Sequence, residues 1–229
     1  MVSIITTFNI QEVRKENLMS QWIITPDKYL TADEVKQLRK TCQELILIAK
    51  SKGNQAPVRD ATIIELALGT GLRVSELSNL KTEYLYIKKG QNSLLVKKGK
   101  GNKDRVVVFN AKLKNQIQEY LDYRTSNSPY LFPSERGDQM TTSAIQKVFK
   151  KLAKKAGLPS RYSIHALRHT HGTELYKASG YNLRLVQQQL GHSSPTITSV
   201  YAAVLNKKIL KKQSKIWSLR SRSDPTLLT

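Results

Sequence analysis

Behind Thr31-Ala-Asp-Glu34 the chain becomes apolar at helical spacing, at Val35, Leu38, Cys42, Leu45 and Ala49. Thr31 and Glu34 stand three apart, the capping box that satisfies two otherwise unpaired N–H groups, so the pattern predicts a helix start there. A second apolar helix is predicted from about Pro57 to Leu68, ending at Gly69-Thr70-Gly71, with a short one from Arg73 to Leu80. The period then changes. Leu85-Tyr86-Ile87, Ser93 to Lys97 and Arg105 to Phe109 read as short strands, separated by the turn-forming stretches Lys88 to Asn92 and Gly99 to Asn102. Helical spacing returns over Lys112 to Arg124, Thr142 to Ala156 (with Gly157 as the stop), Ile164 to Ser179, Asn182 to Leu190, and from Pro195 to beyond Lys212. The expected fold is mostly α with a small three-stranded antiparallel sheet, an α+β arrangement. The strands lie together in the first half and do not alternate with helices, which argues against a doubly wound sheet.

Charge changes this picture more than length does. Across 229 residues, 38 Lys and Arg against 17 Asp and Glu give a net charge of +21. Such a surplus repels itself until an anionic partner neutralises it, and nucleic acid is the commonest such partner. The basic residues also come in blocks. Lys88, Lys89, Lys97, Lys98, Lys100, Lys103 and Arg105 belong to the strand region, and Lys147, Lys150, Lys151, Lys154 and Lys155 to one helix. Lys207, Lys208, Lys211, Lys212, Lys215, Arg220 and Arg222 crowd the C-terminus. Three such blocks favour a phosphate-binding surface over scattered solvation.

Other classes recede. No apolar run approaches the ~18 residues of a membrane helix, and Met1 to Ile10 carries no secretory pattern. The single cysteine, Cys42, excludes an internal disulfide and reads as a small core residue. The organisation expected is an N-terminal extension over 1–25, a main domain over 26–205, and a basic C-terminal helix and tail over 206–229.

All four histidines fall between positions 165 and 192. His165 and Arg168 stand at i and i+3, on one face of a predicted helix, with Gly172 one turn further along. His192 directly follows Gly191, the predicted helix stop, and Tyr201 comes nine residues later. A metal site at His165, His169 and His171 is disfavoured, because Arg168 would repel a cation and no HExxH glutamate accompanies them. Neither a phosphate-binding Gly-x-x-x-x-Gly-Lys loop nor a Gly-x-Ser-x-Gly nucleophile turn is present. A cluster of His and Arg with lysines and a tyrosine suits a phosphate better than an acyl group.

Gly69-Thr-Gly-Leu-Arg73-Val-Ser-Glu-Leu77, Gly99-Lys100-Gly-Asn-Lys-Asp-Arg105, His165-Ala-Leu-Arg168-His, Leu190-Gly-His192-Ser and Tyr201 occur in that order. Together they resemble the catalytic domain of the tyrosine recombinase (phage integrase) family, in wording close to its Xer-like and short invertase-like members. The resemblance covers about residues 27–205. It implies that Tyr201 is the nucleophile, forming a 3′-phosphotyrosyl link with a DNA strand and releasing a 5′-hydroxyl. It implies that Arg73 and Arg168 clamp the non-bridging oxygens, a role suited to a planar, permanently charged guanidinium. Lys100 would protonate the leaving oxygen, with Lys97, Lys98 and Lys103 as competitors. His165 would assist proton transfer at the tyrosine, and His192 would donate a hydrogen bond to the phosphate. Glu76 is open to two readings: it orients an active-site cation, or it forms a simple i,i+3 ion pair with Arg73. His169 and His171 match no catalytic position and read as packing or DNA-contact residues.

The resemblance further implies double-stranded DNA as partner, a homo-oligomer (tetramer) on that DNA, accessory DNA-binding proteins, and no cofactor, metal or membrane. The expected setting is cytoplasmic and DNA-associated, in a bacterium, plasmid or phage. Typical members carry a separate helical domain ahead of the catalytic one, whereas here about 25 residues precede the match. The expectation is therefore a catalytic-domain-only site-specific recombinase or a truncated element product. Two rivals share the fold: a non-recombining DNA-binding accessory protein, and a DNA-relaxing enzyme of the type IB topoisomerase kind.

Overall fold

The computed structural model describes residues 26–97 and 104–191. The expected 1–25 extension, the helix from Pro195 onward and the 206–229 tail lie outside the described residues.

Helix α1 (Ala32–Ser51) starts where the capping box placed it: Thr31 Oγ1 accepts from the Glu34 N–H at 3.2 Å, and Glu34 Oε2 accepts from the Thr31 N–H at 2.7 Å. Its inward face buries Leu38, Cys42 and Ala49. Helix α2 (Gln55–Thr70) begins two residues earlier than the pattern predicted, because Asn54 caps it and Pro57 falls in the first turn, where a missing N–H costs nothing. Every residue from Asp60 to Leu68 is buried, so α2 is the central post of the domain. Helices α4 (Ala111–Tyr123), α5 (Thr142–Lys155) and α6 (His165–Ala178) pack around it together with α1. Gly69 sets the α2–α4 approach, since a Cβ there would lie 2.5 Å from Leu113 Cδ2.

The short α3 (Val74–Asn79) follows the α2 corner and packs on α5. Strands β1 (Leu85–Tyr86), β2 (Ser93–Val96) and β3 (Arg105–Val108) form one antiparallel sheet in that order, with Leu94 facing Val107 and Val96 facing Arg105. Leu94 and Val107 are buried, while Val106 and Val108 stay exposed, which is the alternation of a one-sided sheet. Helix α7 (Leu183–Leu190) is capped by Asn182 and packs on α6 and on the edge strand β3. Its core is a small separate cluster of Tyr29, Tyr176, Val186 and Leu190. Among the described residues no helix is long and apolar enough to cross a membrane.

Candidate active site

Three arginines from three separate elements meet at the end of α7. A helix leaves its last carbonyls without intrahelical partners, and those carbonyls carry the negative end of the helix dipole. Here Gln189 O accepts from Arg105 Nε at 3.2 Å, Leu190 O from Arg168 Nη2 at 2.8 Å, and Gly191 O from Arg73 Nη2 at 3.2 Å. Arg168 also donates Nη1 to Gly71 O, so one guanidinium ties the α2 corner to the α7 corner.

Both corners need glycine. Gly71 and Gly191 adopt φ of 65° and 63°, in the left-handed region that L side chains avoid. A Cβ on Gly71 would lie 2.6 Å from Leu190 Cδ2 and 2.7 Å from His171 Cδ2. A Cβ on Gly191 would lie 2.7 Å from Arg105 Cδ and 2.8 Å from Arg105 Nε.

The charge at the centre is Glu76, whose side chain is only 7% exposed. Arg105 binds it fork to fork, Nη1 to Oε1 and Nη2 to Oε2, each at 2.8 Å. Arg73 Nη1 shares Oε1 at 2.8 Å, and the Arg73 backbone N–H donates to Oε2 at 2.8 Å, capping α3. Burial alone would push the Glu76 carboxyl up; hydrogen bonds and charge from Arg105, then Arg73, overcome it and hold the group at about 2. Glu76 is thus the i,i+3 ion-pair partner of Arg73, one of the two readings left open by the sequence, and it also binds Arg105.

Arg168 is buried in the second turn of α6, and His165 keeps an exposed edge at the first residue of the same helix. Partial burial, followed by the charges of Arg168 and Arg73, lowers the His165 pKa. The structure thus brings together Arg73, His165 and Arg168. Lys100, His192 and Tyr201 lie outside the described residues, although in the sequence Lys100 falls between β2 and β3 and Gly191 directly precedes His192. Lys97, a competitor of Lys100, donates to Asp104 Oδ2 at 2.8 Å, which raises its pKa. His171 faces inward, with Nδ1 2.9 Å from Leu68 O; because a carbonyl only accepts, that nitrogen carries the proton. His169 and His171 are both lowered to about 4, chiefly by burial. Among the described residues no group of three or more His, Cys, Asp or Glu could hold a metal ion.

Sequence reasoning missed Arg105, counting it with the basic surface. The signal was there: Arg105 and Val107 lie on the inward face of β3, buried Phe109 continues the alternation just past its end, and Arg105 is the charged one. Its side chain is 12% exposed.

Residues 28–208 match the model of the phage integrase family. A tyrosine recombinase XerA of Pyrococcus furiosus is 37% identical over 188 residues, 81% of this chain and 60% of that protein. A tyrosine recombinase XerC of Leptospira interrogans is 34% identical over 178 residues, 76% of this chain and 55% of that protein. The chain spans only about three fifths of the length of these curated relatives. A crystal structure of XerA recombinase superimposes with a TM-score of 0.64 at 30% identity, over 80% of this chain and 62% of that one. A XerH site-specific recombinase bound to palindromic difH substrate, in a post-cleavage complex, gives 0.70 at 27% identity, over 83% and 53%. With the family model running from ahead of α1 through the end of α7, over residues 28–208, the chain belongs to the phage integrase family.

Proposed function

We propose that the chain is a site-specific DNA recombinase that cuts and rejoins strands through a covalent 3′-phosphotyrosine. The observation that carries this reading is the convergence of Arg73, Arg168 and the α7 end beside His165, immediately ahead of Gly191-His192. The Tyr201 oxygen attacks the scissile phosphorus, the P–O5′ bond breaks, and a tyrosyl phosphodiester forms. Arg73 and Arg168 face the two non-bridging oxygens and offset the charge that builds in the transition state. The lowered pKa of His165 favours its neutral form, the form that can take the tyrosine proton. Lys100 supplies a proton to the leaving O5′, while Lys97 is tied to Asp104, which raises its pKa. His192 donates a hydrogen bond to the phosphate. The phosphotyrosyl ester keeps the energy of the broken bond, so a 5′-hydroxyl reverses the step without a nucleotide cofactor.

Duplex DNA as the partner is supported by the net charge and by the outer face of α5, where Lys147, Lys150, Lys151, Lys154 and Lys155 are all exposed. The relatives bound to their DNA sites, the XerH complex among them, point the same way. Assembly as a tetramer on that DNA, with accessory proteins, follows from the same family relationship.

The test is a nicked duplex built on a site selected from a randomised duplex library by binding to the full chain. The nick lets the released fragment diffuse away, so the adduct accumulates and survives denaturing electrophoresis. Tyr201→Phe should abolish the adduct and leave duplex affinity within about twofold, since one oxygen is lost with almost no volume. An adduct mapping to Tyr84, Tyr86, Tyr181 or a serine contradicts the assignment. Tight binding with no adduct favours the accessory-protein reading, and relaxation of supercoiled plasmids without any site requirement favours the topoisomerase-like one.

A further inference from the structure

Glu76 is one carboxylate between two forks. A carboxylate with two free oxygens pairs bidentately with a single guanidinium, and a fork closed on it has fewer N–H groups to offer elsewhere. In this structure Arg105 takes the bidentate place, at 2.8 Å to each oxygen, and the Arg73 guanidinium is left with one contact, from Nη1 to Oε1, beside its backbone N–H on Oε2. The Arg73 Nη2 turns instead to Gly191 O. Arg105 is itself locked: it is the first residue of β3, its Nε holds Gln189 O, and Gly191 lies directly against its side chain. It therefore links strand β3, the acid beneath Arg73, and the corner at the end of α7.

We propose that Arg105 is a positioning residue for phosphoryl transfer: by occupying Glu76 it keeps that carboxylate from closing fork to fork on Arg73, so that Arg73 presents its guanidinium to the scissile phosphate. The inference rests on the recombinase reading, and Arg105 need not touch DNA for it to hold.

The experiment measures single-turnover adduct formation by the full chain on the nicked duplex, with the natural scissile phosphate and with a neutral methylphosphonate in its place. Arg105→Gln should slow adduct formation about 100-fold on the natural phosphate, the size of losing one preorganised donor, with duplex affinity within about twofold. On the methylphosphonate, which has one anionic oxygen fewer to compensate, the ratio of parent to variant should shrink to about tenfold or less. Adding Glu76→Gln to Arg105→Gln should restore about tenfold on the natural phosphate, because no carboxylate remains to close on Arg73.

A loss equal on both substrates means a folding or packing fault and overturns the proposal. So does a defect that the methylphosphonate relieves but Glu76→Gln does not, which would place Arg105 itself on the phosphate. Should Arg105→Gln fail to fold, Arg105→Lys carries the same comparison, since one ammonium can satisfy Glu76 in part but cannot make the fork. An unmutated chain that forms no adduct overturns the recombinase reading and this inference with it; a normal adduct from both parent and Arg105→Gln overturns the role of Arg105 alone.

Discussion

Helices α2 and α7 end alike and are held differently. Each finishes in a left-handed glycine, and each gives a carbonyl at its end to Arg168. Helix α2 is buried along nearly its whole length, and its corner is filled by Leu190 and the His171 ring. Helix α7 buries only Val186 and Leu190, and its corner is filled by Arg105 and gripped by three guanidiniums. Apolar contact is non-directional and tolerates small slides. A guanidinium fork fixes direction as well as distance. The corner that leads into His192 is thus held by the interaction that specifies position, and the corner in the core by the one that supplies bulk stability.

Alanine at each glycine tests this division most severely. Both changes force a side chain into a left-handed backbone, at about 1 kcal/mol. At Gly71 the new methyl also overpacks Leu190 and His171, adding about 1–3 kcal/mol. Gly71→Ala should therefore lower the melting temperature strongly and, in whatever fraction stays folded, slow adduct formation less than Gly191→Ala does. At Gly191 the methyl meets Arg105 Cδ and Nε, which can yield only by leaving Glu76 or Gln189. Gly191→Ala should cost less stability and slow cleavage by about 100-fold. Equal stability losses with equal cleavage would erase the distinction between the corners.

The fold was legible in the sequence because its signals are local. The Thr31 capping box, the switch from helical to alternating spacing at Leu85, and the glycine stops at positions 71, 157 and 191 each act within a few residues. The site was legible in part. Arg73, His165 and Arg168 were found through motif wording and helix spacing, and the structure brings them together. Arg105 was hidden because its partners are non-local: Glu76 lies 29 residues earlier and Gln189 lies 84 later. A strand residue's burial depends on what packs over it, and α7 covers β3 only once the chain has folded back. The convergence of three cations on one helix end is a tertiary fact with no sequence period.

Acid should separate the two corners again, with a smaller effect. His171 and His169 have pKa values near 4 against an ordinary value of 6.5, so the folded state binds fewer protons than the unfolded state between those limits. Their contribution is complete above pH 6.5 and is lost as pH falls toward 4, by up to about 3 kcal/mol per histidine. Glu76, at about 2 against 4.5, contributes fully above pH 4.5 and is lost as pH falls toward 2. Through His171, the α2 corner should therefore loosen in the higher window, and the α7 corner in the lower one. Melting temperature against pH checks this: His171→Asn should flatten the decline between 6.5 and 4, while Glu76→Gln should leave that window alone. A parent protein with level stability from pH 6.5 to 4 contradicts the burial of both histidines.

The smallest expected effect carries the comparison to the surface. Helix α5 turns Ile145, Phe149 and Leu152 inward, and it packs on α3, the helix that carries Glu76. Its lysines cost nothing to expose, so what they do for the molecule should appear only when an anion is present. Lys40, 77% exposed on α1, provides the contrast, with an ordinary i,i+4 pairing to Glu44 at 3.9 Å. Each phosphate contact releases condensed counterions, so log affinity for duplex DNA falls with log salt by about 0.9 per contact. Lys151→Gln and Lys154→Gln should each reduce that slope by up to about 1, leaving the melting temperature nearly unchanged, since surface changes stay within about 0.5 kcal/mol. Lys40→Gln should leave both slope and stability as they were. The measurement is a duplex titration at several salt concentrations for the three variants. If Lys40→Gln lowers the slope as much as the α5 changes do, the charge acts as a diffuse cloud and α5 is not a DNA-facing surface. If only the α5 variants do so, α5 is the DNA-facing surface, packed on the helix that carries Glu76, and the apolar body of α1 and α2 stands behind it as scaffold.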